Sequence, residues 1–285
     1  MADVRTRFDD RRAAAPTVRT SHDRFPVARR GTADPLFSEK SIRRTARTLG
    51  PRGSILAVCF KARWHEWALK HKRRVDFRSR ENAAACAAYD RMSVADFAII
   101  NSAQTWANWR TIPRNLRGRL PSRPLAVIDL CCGTGDSTAV LAYYCPPGSR
   151  ILGLEWSGTF VDAARRRSFI DATGNHAAVM FRRQDVLDPF ADVEGRHIAD
   201  RSVDLINAQG AVGSHFDRGA IQCLAAQCRR VIRDGGLAMV DAGRRSRNFR
   251  DVVTVWTDCG FELVHRAESC PWDKFVQLCF RKRPE

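Results

Sequence analysis

The chain has 285 residues, enough to bury a sizeable core in one or two domains, and it carries 48 Lys/Arg against 31 Asp/Glu, a net charge of +17. The excess is local: residues 1–80 hold 21 basic against 8 acidic residues, while residues 81–285 hold 27 against 23. The apolar run Ser54–Phe60 is too short to span a membrane, and charges interrupt the first thirty positions, so the composition argues against a membrane span and a secreted chain. The ten cysteines include no CxxC pair, which disfavours zinc and disulfide frameworks and leads to the expectation of reduced thiols in a cytoplasmic protein.

Residues 1–50 mix Arg, Ala, Thr, Asp, Pro and Gly without a period. So little apolar surface cannot offset the ordering entropy, and a disordered basic arm is expected. Residues 51–81 read as a basic linker with a short helical stretch. It carries Arg63-Trp64-His65-Glu66-Trp67 and then Lys70-His71-Lys72-Arg73-Arg74. Such a run is either a nucleic-acid- or membrane-binding patch or a solvated tail.

Residues 82–120 form a predicted helical lid. Ser93-Val94-Ala95-Asp96 has the form of a capping box, and Phe97, Ile100, Ala103 and Ala107 supply a stripe near helical spacing. Pro113 is expected to end or bend the element. Tyr89, Trp106, Trp109 and Arg110 gather aromatic and hydrogen-bonding groups just before the core, as candidate substrate and lid contacts, although core packing explains one tryptophan equally well.

From Pro121 onward strand and helix patterns alternate. Strands are predicted at Ala126–Leu130, Ile151–Leu154, Val179–Phe181, Val203–Ala208, Leu237–Val240, Phe261–His265 and Phe275–Phe280. Helices are predicted at Asp136–Tyr144, Gly158–Arg167, Gly219–Ile232 and Asn248–Cys259. This gives one α/β domain over 121–285, Rossmann-like and doubly wound around a mostly parallel seven-stranded sheet.

Ligands of such sheets bind at the carboxyl ends of the strands. The first strand ends in Asp129-Leu130-Cys131-Cys132-Gly133-Thr134-Gly135-Asp136. Its glycines permit a sharp turn and a close ligand approach, and the next helix aims its N–H groups at the same point. A dinucleotide fingerprint needs a third glycine where Thr138 stands. Asp129 before the turn suits a cationic ligand better than a pyrophosphate.

Asp129 through Gly135 resembles the first motif of the class I S-adenosylmethionine-dependent methyltransferases. The resemblance implies that Cys131, Gly133 and Gly135 line the methionine part of that cofactor. Glu155, at the end of the second strand, matches the residue that accepts bonds from both ribose hydroxyls, with Trp156 beside it to cover the adenine. Asp185, followed by Val186, matches the acidic position that receives the adenine amino group, although Asp185 also fits a turn residue. Ala208 and Gln209, closing the fourth strand, stand where the family has further cofactor contacts.

Methyl transfer is an in-line displacement in which positioning does most of the work, and a base is needed only if the acceptor must lose a proton. His215, just past the fourth strand, is the candidate base, or else a structural histidine. Cys131 and Cys132 read as small buried residues rather than nucleophiles. No Asn-Pro-Pro-Tyr/Phe motif, Pro-Cys motif or metal-ligand cluster is visible. A small-molecule acceptor is the first expectation. An RNA methyltransferase using the basic arm, and a cofactor-binding protein without catalysis, are the rivals.

Overall fold

The computed structural model describes residues 56–71, 82–243, 247–269 and 275–284. The predicted disordered arm and both ends of the linker lie outside the described residues. Within the linker a helix, α1, runs over 56–71.

The lid segment folds as α2 (Asn82–Asp90), α3 (Val94–Ile100) and α4 (Ser102–Leu116). The capping box at Ser93 is formed: its Oγ accepts from the Asp96 N–H at 3.1 Å and donates to the Asp96 carboxylate at 2.7 Å. Pro113 neither ends nor caps α4, which continues through Leu116. A proline inside a helix costs about 3 kcal/mol or more, and the burial of Ile112, Asn115 and Leu116 around it offsets that cost. The chain breaks instead at Asn101, between α3 and α4.

The core is a seven-stranded sheet of order β3-β2-β1-β4-β5-β7-β6. Its strands are β1 (Ala126–Leu130), β2 (Arg150–Glu155), β3 (Ala178–Arg183), β4 (Val203–Ala208), β5 (Ile232–Gly243), β6 (Phe261–Ala267) and β7 (Phe275–Lys282). The first five pair in parallel, and β7 inserts antiparallel between β5 and β6. β4 is buried at every position, because a central parallel strand is covered by helices on both faces. On one face lie α4, α5 (Asp136–Tyr144) and α6 (Gly158–Arg165). On the other lie α8 (Arg218–Val231) and α9 (Arg247–Asp258), whose Trp256 is fully buried against Phe261 and Phe280.

Two details depart from the sequence expectations. A four-residue helix, α7 (Val212–His215), follows β4. Strand β5 also starts earlier than predicted, at Ile232, and carries Asp234-Gly235-Gly236 as an irregularity inside the strand. Gly235 has φ +76°, and a Cβ on Gly236 would sit 2.9 Å from a backbone oxygen. Buried Lys282 closes this bulge, donating to the Ile232 carbonyl at 2.8 Å and facing Asp234 at 3.3 Å.

The strand order reverses between β1 and β4, which opens a crevice at their carboxyl ends. The candidate cofactor residues stand at the ends of β1 to β4 or on the loops that follow them.

Candidate active site

The turn after β1 places three residues in the left-handed region: Cys131 at φ +52°, Gly133 at +55° and Gly135 at +87°. Cys131 is the only non-glycine of the three, so the turn holds a strained side chain at the mouth of the crevice. A Cβ on Gly133 would also stand 2.7 Å from the Phe97 ring, so this glycine is needed for space as well as conformation.

Asp129 does not reach the crevice. Its carboxylate is fully buried, with Oδ2 accepting from Ser137 Oγ at 2.7 Å and Thr138 Oγ1 at 2.6 Å. Oδ1 accepts from Asn207 Nδ2 at 2.7 Å. Burial pushes the carboxyl up to about 6, against the lowering effect of those three bonds. Asp129 thus binds the first turn of α5 to β1 and β4, and Thr138 supplies a hydroxyl where a dinucleotide fold has its third glycine. The network continues toward β6. Gln277 Nε2 donates to Asn207 Oδ1 at 3.3 Å, Asn115 Nδ2 to Gln277 Oε1 at 2.7 Å, and His265 Nδ1 meets Asn115 Oδ1 at 2.7 Å.

Glu155 is 8% exposed at the end of β2. Its Oε2 accepts from the Gly133 N–H at 2.8 Å and its Oε1 from the Ser157 N–H at 3.0 Å. Burial raises its pKa, and the backbone N–H groups oppose the shift. One carboxylate therefore fixes the glycine turn to the second strand while keeping lone pairs for a ligand.

The cavity at this crevice measures about 110 Å3. Cys131, Gly133, Glu155, Trp156, Asp185, Val186, Gln209, His215 and Tyr89 all line it. Asp185 also serves its turn, accepting from the Leu187 N–H at 2.9 Å. Gln209 donates to Thr111 Oγ1 at 2.9 Å, and its buried Oε1 has no hydrogen-bond partner among the described residues. Burial, reinforced by neighbouring carboxylates, raises the thiols of Cys131 and Cys132 well above their ordinary value, so both are protonated and weakly nucleophilic.

The other predicted residues lie off the wall. Gly135 shapes the turn and Ala208 is buried in the core. Trp106 is buried with the Arg110 guanidinium 3.5 Å over its ring, and Trp109 packs on Tyr143 and Tyr144 of α5. An apolar stripe on a helix does not say which neighbour it faces: Trp109 fastens α4 to α5, while Arg110 stacks on Trp106 of its own helix.

The lid covers the cavity through α2, α3 and the start of α4. Tyr89 Oη and His215 Nε2 are 3.1 Å apart, Trp156 Nε1 donates to Asp90 at 3.1 Å, and Thr105 Oγ1 to Asp136 at 2.9 Å. Phe97 packs on Phe160 of α6 with ring centroids 4.3 Å apart. His215 is placed by a residue that sequence reasoning missed. The buried carboxylate of Asp241 accepts from the N–H groups of Gly210 and Gly213, both at 3.0 Å, and so shapes the loop that begins α7. Burial raises that carboxyl to about 6. Its only sequence signal was an acidic residue within an apolar strand.

Residues 127–236, spanning β1 to the start of β5, match the family model described as a methyltransferase domain. These residues therefore carry a methyltransferase domain. No curated protein matches the chain. Solved structures similar to this methyltransferase include a S-adenosylmethionine-dependent methyltransferase from Methanosarcina mazei, at 15% identity and TM-score 0.47, covering 60% of this chain and 97% of that one. A TehB-like methyltransferase from Corynebacterium glutamicum has 20% identity and TM-score 0.44, covering 60% and 86%. A methyltransferase from Mesorhizobium loti has 18% identity and TM-score 0.45, covering 59% and 96%.

The cleft's own chemistry fits S-adenosylmethionine, the cofactor that the resemblance of the first motif implies. Glu155 and Asp185 line it with carboxylate acceptors suited to ribose hydroxyls and an adenine amino group, and Gln209 offers an open acceptor within it.

Proposed function

We propose that this methyltransferase acts on a small-molecule acceptor inside a cleft that its own lid closes. Cys131, Gly133, Glu155, Trp156, Asp185, Val186 and Gln209 hold the cofactor, with Asp129 and Gly135 shaping the turn from behind. S-adenosylmethionine supplies an activated methyl group when bound. The protein must then align the acceptor and exclude water.

The carrying observation is the lid. The cavity of about 110 Å3 is well below the roughly 300–1,000 Å3 of small-molecule sites, so cofactor and acceptor must enter an opened form. Closure then surrounds a compact acceptor, whereas a polymer would hold the latches of Tyr89, Asp90 and Thr105 apart. Among the described residues no helix is long and apolar enough to cross a membrane. We read the enzyme as cytoplasmic, in keeping with its protonated buried thiols.

His215 and Tyr89 form the acid–base pair of this reading. Their 3.1 Å contact lets a proton leaving the acceptor reach the imidazole, directly or through the phenol. Incubating the enzyme with methyl-labelled S-adenosylmethionine and a cell extract, then separating small metabolites from RNA and protein, tests the assignment. Label should appear in the metabolite fraction and fall sharply with His215→Ala. Label confined to RNA would overturn the reading.

A further inference from the structure

A second cavity, of about 570 Å3, opens where the last turn of α4 meets the end of β6. Its wall holds Arg114, Arg117, Arg119, His265, Arg266 and Glu268, so four guanidiniums face one carboxylate. No step of methyl transfer uses them.

Part of this charge has a structural explanation. Arg119 Nη1 donates to the carbonyls of Arg114, Asn115 and Arg117 at 3.1–3.3 Å, closing the C-terminus of α4, where a cation also meets the negative end of the helix dipole. Arg114 Nη1 donates to the Glu268 carbonyl at 2.7 Å. Those bonds fix two guanidiniums on the wall and leave further N–H groups on each. They do not involve Arg117, at the C-cap, or Arg266, whose guanidinium pairs with the Glu268 carboxylate at 2.8 Å and lies 5.3 Å over the Phe249 ring while its side chain stays exposed. The cluster leaves its mark nearby: burial and then the Arg119 charge hold His265 below the ordinary histidine value.

Four like charges around one open cavity repel each other unless an anion joins them. Guanidinium forks match the tetrahedral oxygens of phosphate and can bind them in pairs. We propose that this cavity is a binding site for a phosphate group carried by a ligand. The first half of α4 lines the methyl-transfer cleft through Gln104 and Asn108, and its end lines this cavity. Ten residues of helix separate Gln104 from Arg114, about 15 Å. The phosphate belongs either to a small phosphorylated compound or to a nucleic-acid backbone, and the two sources can be told apart.

The test uses the full chain without cofactor, so that it is independent of the methyl-transfer reading. Inorganic pyrophosphate is titrated by calorimetry into the parent and into the Arg117→Ala/Arg266→Ala double variant. Both side chains are exposed, and circular dichroism checks that the fold persists. The parent should bind saturably, and the double variant should bind roughly tenfold more weakly or worse, as loss of two charge-assisted contacts implies. Absence of saturable binding to the parent, or equal binding by the variant, overturns the proposal. A short single-stranded RNA is then added to the bound complex. Displacement of pyrophosphate, weakening as salt rises, assigns the site to a nucleic-acid backbone; no displacement assigns it to a small phosphorylated ligand.

Discussion

The two walls of the cleft are built in different ways. On the sheet side, buried carboxylates hold backbone and helix-end groups: Asp129 holds Ser137, Thr138 and Asn207, Glu155 holds the N–H groups of Gly133 and Ser157, and Asp241 those of Gly210 and Gly213. On the lid side the contacts are single side-chain bonds and ring faces, at Tyr89, Asp90, Phe97 and Thr105. A buried carboxylate with several donors is costly to disturb, because each donor it leaves behind is stranded away from water. Partly exposed pairs exchange readily with solvent, and each is worth little. The fixed wall can therefore hold the cofactor, and the light one can open to admit it.

The largest effect should come from the core of the fixed wall. Asp129→Ala strands three buried donors, and urea unfolding should show a loss of about 3 kcal/mol or more. Asp129→Asn removes the titration while keeping one acceptor oxygen, at the cost of at least one of the three bonds. The native carboxyl titrates near 6 while the unfolded one titrates near its usual value of about 3.9, so the native state binds the proton more tightly. Its contribution is complete below about pH 4 and is lost as the pH rises through 6. From pH 4 to 7 the parent should lose on the order of 2–3 kcal/mol that the Asn variant does not lose. Parallel stability curves for the two proteins would refute this.

Glu155→Ala comes next, because it joins both functions of the wall. The loss of its two backbone contacts should cost about 1–3 kcal/mol of stability. Affinity for S-adenosylhomocysteine should fall about ten- to a hundredfold by calorimetry, with Glu155→Gln retaining more. Unchanged affinity would show that another group receives the ribose.

Much of the fixed wall was legible in the sequence because its signals are local. β1 and β4 announce themselves as apolar runs, the turn by its glycines, and Glu155 and Asp185 by standing at strand ends. The links that tighten it were not. Asn115 and Gln277 are 162 positions apart and join only once β7 has inserted beside β5. Asp241 lies 28 residues beyond the loop it shapes. Helix α7 is four residues long and has no period to read. On the lid, the helices were visible but not the faces they turn inward. Tyr89 reaches the cleft, while Trp109 secures α4 to α5 and Arg110 stacks on Trp106 within α4.

Hydrogen exchange with and without S-adenosylhomocysteine compares the two walls directly. Amides over 127–138 and 203–209 should be protected in both states. Those over 85–101 should exchange readily in the free protein and gain protection when the ligand binds. A lid as protected without ligand as with it, or protection gained elsewhere and not over 85–101, would contradict a cofactor cleft formed between a fixed sheet edge and a lid that opens.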